Sequence, residues 1–118
     1  MSIGGLFGRL MGGASVPTIE HAEMAQVVAS GDCCIIDVRE PHEYRIANLN
    51  GYLIPLNDLP KRVNELDSAK DIVVYCHTGR RSGRAVDFLR EVGFRRVKNL
   101  KGGIDEWAAK IDPSLPRY

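Results

Sequence analysis

A chain of 118 residues holds one ordinary domain, which excludes a multidomain enzyme. Hydrophobic residues at 44% and charged residues at 26% sit near the globular average and exclude a disordered or fibrous chain. The net charge of +1 argues against a nucleic-acid or membrane-surface protein, although residues 1–60 carry three basic and seven acidic side chains and residues 80–101 carry eight basic and two acidic.

Residues 1–17 read as a glycine-rich tail ahead of a domain spanning 18–118. Within it Ile3, Leu6, Phe7, Leu10 and Met11 recur at helical spacing, while five glycines oppose a stable helix. Two readings stay open, a disordered tail and a helix docked on a partner or on the domain. The segment from about His21 to Ala29 reads as a helix with Met24, Val27 and Val28 inward and Gly31 as its stop. Cys34 to Val38 is a nearly continuous apolar run, the pattern of a parallel strand covered on both faces. Pro41 opens a short helix over about 42–46, and Asn50 and Gly51 turn the chain into a strand at Tyr52 to Ile54. Residues 59–66 read as a helix, and Ile72 to Tyr75 as the most apolar strand. A helix from Ser82 to about Val92 follows, with Ala85, Phe88, Leu89 and Val92 inward and Gly93 as its stop. Val97 to Leu100 forms a last strand, and Ile104 to Lys110 a last helix carrying Trp107. Strands alternating with helices specify an α/β fold, a central and mostly parallel sheet with helices on both faces.

The chemistry concentrates where the most apolar strand ends. Ligands of open α/β sheets bind beyond the carboxyl ends of the strands, and Cys76 stands at such an end, in the position of a nucleophile. His77, Thr78, Gly79, Arg80, Arg81 and Ser82 lead from it into a helix N-terminus, where free amides and the helix dipole favour an anion. Gly79 lets successive amides turn inward as a nest, and the two arginines add positive charge, so the thiolate is favoured over the thiol. The competing reading of Cys76 is a buried strand-end cysteine, which leaves two arginines and a glycine unexplained. The basic stretch is either a solvated face or a field that steers anionic substrates toward the loop.

The remaining candidates are weaker. His21 and His42 read as surface residues on helices, and His77 is a conceivable base for Cys76. Cys33 and Cys34 project to opposite faces of a strand and read as packing residues. An odd cysteine count without metal-ligand spacing points to a reducing, intracellular setting with no metal and no cofactor. The lack of a long apolar run argues against a transmembrane segment, so the expected location is cytoplasmic.

The segments IIDVREPHEY, NGYLIPL, IVVYCHTGRRSGRAVDFLREVGF and NLKGGIDEWA occur in an order and spacing that resembles the rhodanese family of sulfurtransferases, over about residues 18–118. REPHEYRIANLNGYLIPL and the ending WAAKIDPSLPRY are similar to the rhodanese domains attached to adenylyltransferases that activate ubiquitin-like sulfur carriers. The resemblance implies a rhodanese-like fold and a single catalytic residue, Cys76, which takes a sulfane sulfur as a persulfide and passes it to a thiophilic acceptor. It implies that the loop from His77 to Ser82 binds the substrate, with Arg81 on the substrate anion and the Thr78 and Ser82 hydroxyls adding hydrogen bonds. Asp37 and Arg39 match a structural ion pair. Trp107 reads as a core anchor in preference to a substrate contact.

Thiosulfate is the expected assay donor, a small anionic sulfur compound, and a sulfur-acceptor protein is the second partner class. Phosphatases of related fold place arginine six residues after the cysteine, where this chain has Ser82; the shorter loop favours a single sulfur over a phosphate. The rival from another class is a sulfur-carrying or regulatory binding module that acts with a protein partner and turns over small donors poorly.

Overall fold

The computed structural model describes residues 16–118, so the apolar stripe from Ile3 to Met11 lies outside the described residues. Five strands form one sheet in the order β1 (Thr18–Ile19), β5 (Val97–Leu100), β4 (Ile72–Tyr75), β2 (Cys34–Asp37), β3 (Tyr52–Leu53). Every pairing is parallel, with Asp37 level with Tyr75 and Val74 level with Asn99. The sheet is therefore wholly parallel, one step beyond the mostly parallel sheet expected.

Two apolar layers cover it, as the near-continuous apolar strands require. The period of two sends Ile72, Val74 and Cys76 to one face and Val73 and Tyr75 to the other. The first face packs against α3 (Leu59–Arg62) and α4 (Arg80–Glu91) through Leu59, Ala85, Val86 and Leu89. The second packs against α1 (His21–Ser30) and α5 (Gly103–Lys110) through Met24, Ile104 and Trp107. α2 (Pro41–Ile46) completes the helices.

The element boundaries differ from expectation for local reasons. α4 begins at Arg80, two residues early, because Gly79 at φ 105° already supplies its N-cap. The expected helix over 59–66 is split, with α3 flanked by 3-10 turns at Leu56–Asp58 and Val63–Glu65. β1 carries no periodic signal in its two residues and is defined only by its pairing with Asn99 and Leu100. Val28 and Val92 are exposed rather than inward, and the inward place in α4 belongs also to Val86. His21, expected at the surface, is buried, with its ring 3.8 Å from the Glu106 carboxylate. Cys33 and Cys34 pack on opposite layers as expected, and burial pushes both thiols up.

This topology fixes where chemistry can occur. From β2 the chain runs outward to β3, then returns to lay β4 on the other side of β2. The crevice at such a switch point lies between the carboxyl ends of β2 and β4, which deliver Arg39 and Cys76.

Candidate active site

Cys76 is 1% exposed, with its sulfur enclosed by the turn that follows β4. The Gly79 amide donates to Sγ at 3.1 Å, and the Ser82 hydroxyl lies 3.2 Å from it. Glycine is required at position 79 because the turn needs φ 105°, which side chains rarely adopt. The Gly79 carbonyl accepts the Gly83 amide at 3.0 Å, the first bond of α4. The sulfur thus faces the N-terminal end of a twelve-residue helix, where an anion is favoured.

The loop is held from below by α5. Ile104 N–H donates to the Cys76 carbonyl at 2.9 Å, and Asp105 N–H to the His77 carbonyl at 3.0 Å. Those bonds satisfy donors that a helix N-terminus leaves open, and they point the loop carbonyls away from the sulfur. The close approach depends on Gly103: a Cβ there would stand 2.4 Å from the His77 carbonyl oxygen, at φ +63°.

Not every residue of the loop meets the sulfur. Thr78 and Arg80 are exposed, and the Thr78 hydroxyl has no hydrogen-bond partner among the described residues. The His77 ring stacks on Tyr118 at 4.1 Å, with Nε2 buried and 3.9 Å from the Asp105 carboxylate. It makes no hydrogen bond to Cys76 among the described residues. Arg81 reaches across to α2, where Nη1 and Nη2 fork onto the Glu43 carboxylate at 2.6 and 2.8 Å.

Glu43 and Asn99 carry parts of the site that the sequence reading did not name. Glu43 is 7% exposed and completes a capping box with Glu40, which places its carboxylate at the start of α2. The hydrogen bond from Arg81 holds this carboxyl at about 2, with Tyr118 and the Glu40 amide adding to the effect. Asn99 belongs to β5; its Nδ2 donates to the Gly79 carbonyl at 3.0 Å, and its Oδ1 lies 2.6 Å from the Ser82 hydroxyl. The alternation in β5 was the available signal, since Asn99 shares the inward face with Val97 while Lys98 points out.

Beneath the loop, Arg39 and Asp37 form the expected ion pair, both wholly buried. Arg39 Nε and Nη2 bind the Asp37 carboxylate at 3.0 and 2.7 Å, and the remaining donors reach the Glu43 and Ala47 carbonyls and the Tyr118 hydroxyl. Burial opposes the charged guanidinium, but the hydrogen bonds to Asp37 and Tyr118 outweigh it and hold the proton more firmly than usual. Trp107 is buried in the second layer as a core residue.

The basic stretch after Arg80 is substantially paired. Besides Arg81 with Glu43, Arg96 meets Asp71 at 2.9 Å, Lys101 meets Glu20 at 3.4 Å and Lys98 meets Glu23 at 3.9 Å. This shortens the reach of any steering field. Among the described residues there is no cluster of three metal-ligating side chains, and no helix is long and apolar enough to cross a membrane.

The chain is 38% identical to a putative sulfur carrier protein, YrkF, of Bacillus subtilis, over 84% of this chain and 55% of that one. It is 39% identical to the adenylyltransferase and sulfurtransferase MOCS3 of Arabidopsis thaliana, over 71% of this chain and 22% of that one. The chain therefore spans about half the length of the first relative and about a fifth of the second. The crystal structure of a rhodanese-related protein from Thermoplasma volcanium superposes with a TM-score of 0.72 at 30% identity, covering 85% of this chain and 95% of that one. The sequence profile described as "Rhodanese-like domain" matches residues 20–110, through every helix of the fold and the whole Cys76 turn, and the chain belongs to that family.

Proposed function

We propose that the protein is a sulfurtransferase that moves a sulfane sulfur through a persulfide on Cys76. The observation that carries this reading is the Gly79 amide 3.1 Å from Cys76 Sγ at the start of α4, an arrangement suited to an attacking thiolate and then to a terminal sulfur. With thiosulfate, Cys76–S⁻ attacks the outer sulfur, the S–S bond breaks, and sulfite leaves with the electron pair. The enzyme then carries Cys76–S–S⁻. An acceptor such as cyanide attacks the outer sulfur, departs as thiocyanate and restores the thiolate. The substrate-binding loop in this reading is His77, Thr78, Gly79, Arg80, Arg81 and Ser82, of which Gly79 and Ser82 reach the sulfur.

Intact-mass measurement after incubation with thiosulfate tests it. One added sulfur on wild type, absent from Cys76→Ser and released by cyanide as thiocyanate, is the expected result. A wild type that gains no sulfur, or gains it on Cys33 or Cys34, overturns the assignment. The similarity to a putative sulfur carrier protein of Bacillus subtilis supports a second reading, a sulfur-carrying module serving a protein partner. Rapid exchange with such a partner, beside slow turnover of thiosulfate, distinguishes it.

A further inference from the structure

Two arginines approach the crevice between β2 and β4, and each is matched by an acid. Arg39 is consumed by Asp37. Arg81 is forked onto Glu43, and Glu43 is held in turn by the Glu40 amide at 3.1 Å on Oε1 and by the Tyr118 hydroxyl at 2.7 Å on Oε2. Four donors therefore converge on one nearly buried carboxylate. Moving Arg81 to an incoming anion would strand that carboxylate without its strongest partner. Arg80 is exposed and screened by water, so it supplies little charge at the sulfur.

We infer that Glu43 and Tyr118 form a clamp that withholds the Arg81 charge from small dianions and favours sulfur donors of lower charge, namely persulfides R–S–SH. The inference rests on the sulfur-transfer reading above and narrows its substrate class. The step it favours is balanced: Cys76–S⁻ bonds to the outer sulfur of R–S–SH, the donor S–S bond breaks, and R–S⁻ leaves with the electron pair, giving Cys76–S–SH. No external oxidant or reductant enters. Thiosulfate undergoes the same displacement but brings two negative charges to a site whose two inner ion pairs sum to zero. Glu43 and Tyr118 are positioning residues, since they hold Arg81 and supply no atom that reacts; the Tyr118 hydroxyl also accepts from Arg39 Nη1 at 2.8 Å.

The test is single-turnover loading of Cys76, followed by intact mass, with thiosulfate and with hydroxyethyl persulfide as donors. Wild type is compared with Glu43→Gln and Tyr118→Phe. Glutamine keeps the shape and the Glu40 contact while removing the charge, and phenylalanine keeps the ring stacked on His77 while removing the hydroxyl. For Glu43→Gln the half-saturating thiosulfate concentration is expected to fall about fivefold, the scale of one partly exposed ion pair. Tyr118→Phe moves it the same way by about twofold, and the persulfide value moves by less than about twofold in both. The change falls on half-saturation more than on the limiting rate. Unchanged or weakened thiosulfate saturation in the folded variants overturns the clamp, and Tyr118→Phe decides alone if Glu43→Gln does not fold. Wild-type loading by both donors with no response to either variant leaves sulfur transfer standing and removes the clamp. Loading by neither donor removes both.

Discussion

The Ser82 hydroxyl meets the Asn99 side-chain carbonyl at 2.6 Å, joining the first turn of α4 to β5 beside the Cys76 sulfur. A hydroxyl has one proton, and here two acceptors compete for it. Asn99 cannot turn around, because its Nδ2 already serves the Gly79 carbonyl. When Cys76 is a thiol, Ser82 donates to Asn99 and accepts from S–H; when it is a thiolate, the hydroxyl swings to Sγ and leaves Asn99 Oδ1 unpaired.

Ser82→Ala removes the donor to the thiolate and orphans the Asn99 carbonyl permanently. The expected result is sulfur loading slowed by about tenfold or more, with stability lowered by about 1–3 kcal/mol. Loading rate by intact mass, together with a urea midpoint, separates the two effects.

Gly103→Ala places a methyl against the His77 and Cys76 carbonyls at a positive φ. A cost of about 2–4 kcal/mol is expected from clash and backbone strain together. Cys76 loading should fall sharply even though no residue that touches the sulfur has changed. A variant that loads sulfur normally would show that α5 does not shape the turn.

Arg39→Met leaves the buried Asp37 carboxylate without its partner, and an expected loss of about 3–5 kcal/mol follows. Changing Asp37→Leu together with Arg39→Met should recover part of that loss. Chemical denaturation of both proteins checks the ordering, and a double variant less stable than the single one would contradict it.

Glu43 gives a pH signature. Its carboxyl sits at about 2 in the folded protein, from an ordinary value of 4.5, because Arg81 stabilises the charged form. The contribution is present above about 4.5 and is lost as pH falls toward 2. Arg81 is partly exposed, so screening reduces this to about 1–2 kcal/mol. The fall in stability between pH 5 and pH 2 should accordingly be shallower in Glu43→Gln than in wild type, in about that proportion.

Much of the site is legible from local pattern. The apolar run into Cys76, the glycine that ends α1 and the charge of the following turn are features of a few neighbouring residues, which periodicity and turn chemistry read directly. Arg81 shows where such reading stops. Its place in the loop suggests a bond to substrate, whereas its partner Glu43 lies 38 residues away and that carboxylate's other support, Tyr118, lies 75 residues beyond Glu43. The Glu40 to Glu43 spacing is visible as a helix cap, and nothing local says that the same carboxylate also receives an arginine from the far side of the crevice. β1 fails for the same reason, since two residues have no period and exist as a strand only through β5.

The carbonyls of Cys76 and His77 are held by amides from Ile104 and Asp105. A heptapeptide reading CHTGRRS, grafted onto another scaffold, would therefore have nothing to hold its carbonyls back and would be free to turn them toward the sulfur, repelling the charge it should attract. The portable unit is two turns facing each other across the end of a sheet, and any attempt to rebuild the Cys76 turn elsewhere has to carry the glycine-led helix along with the cysteine.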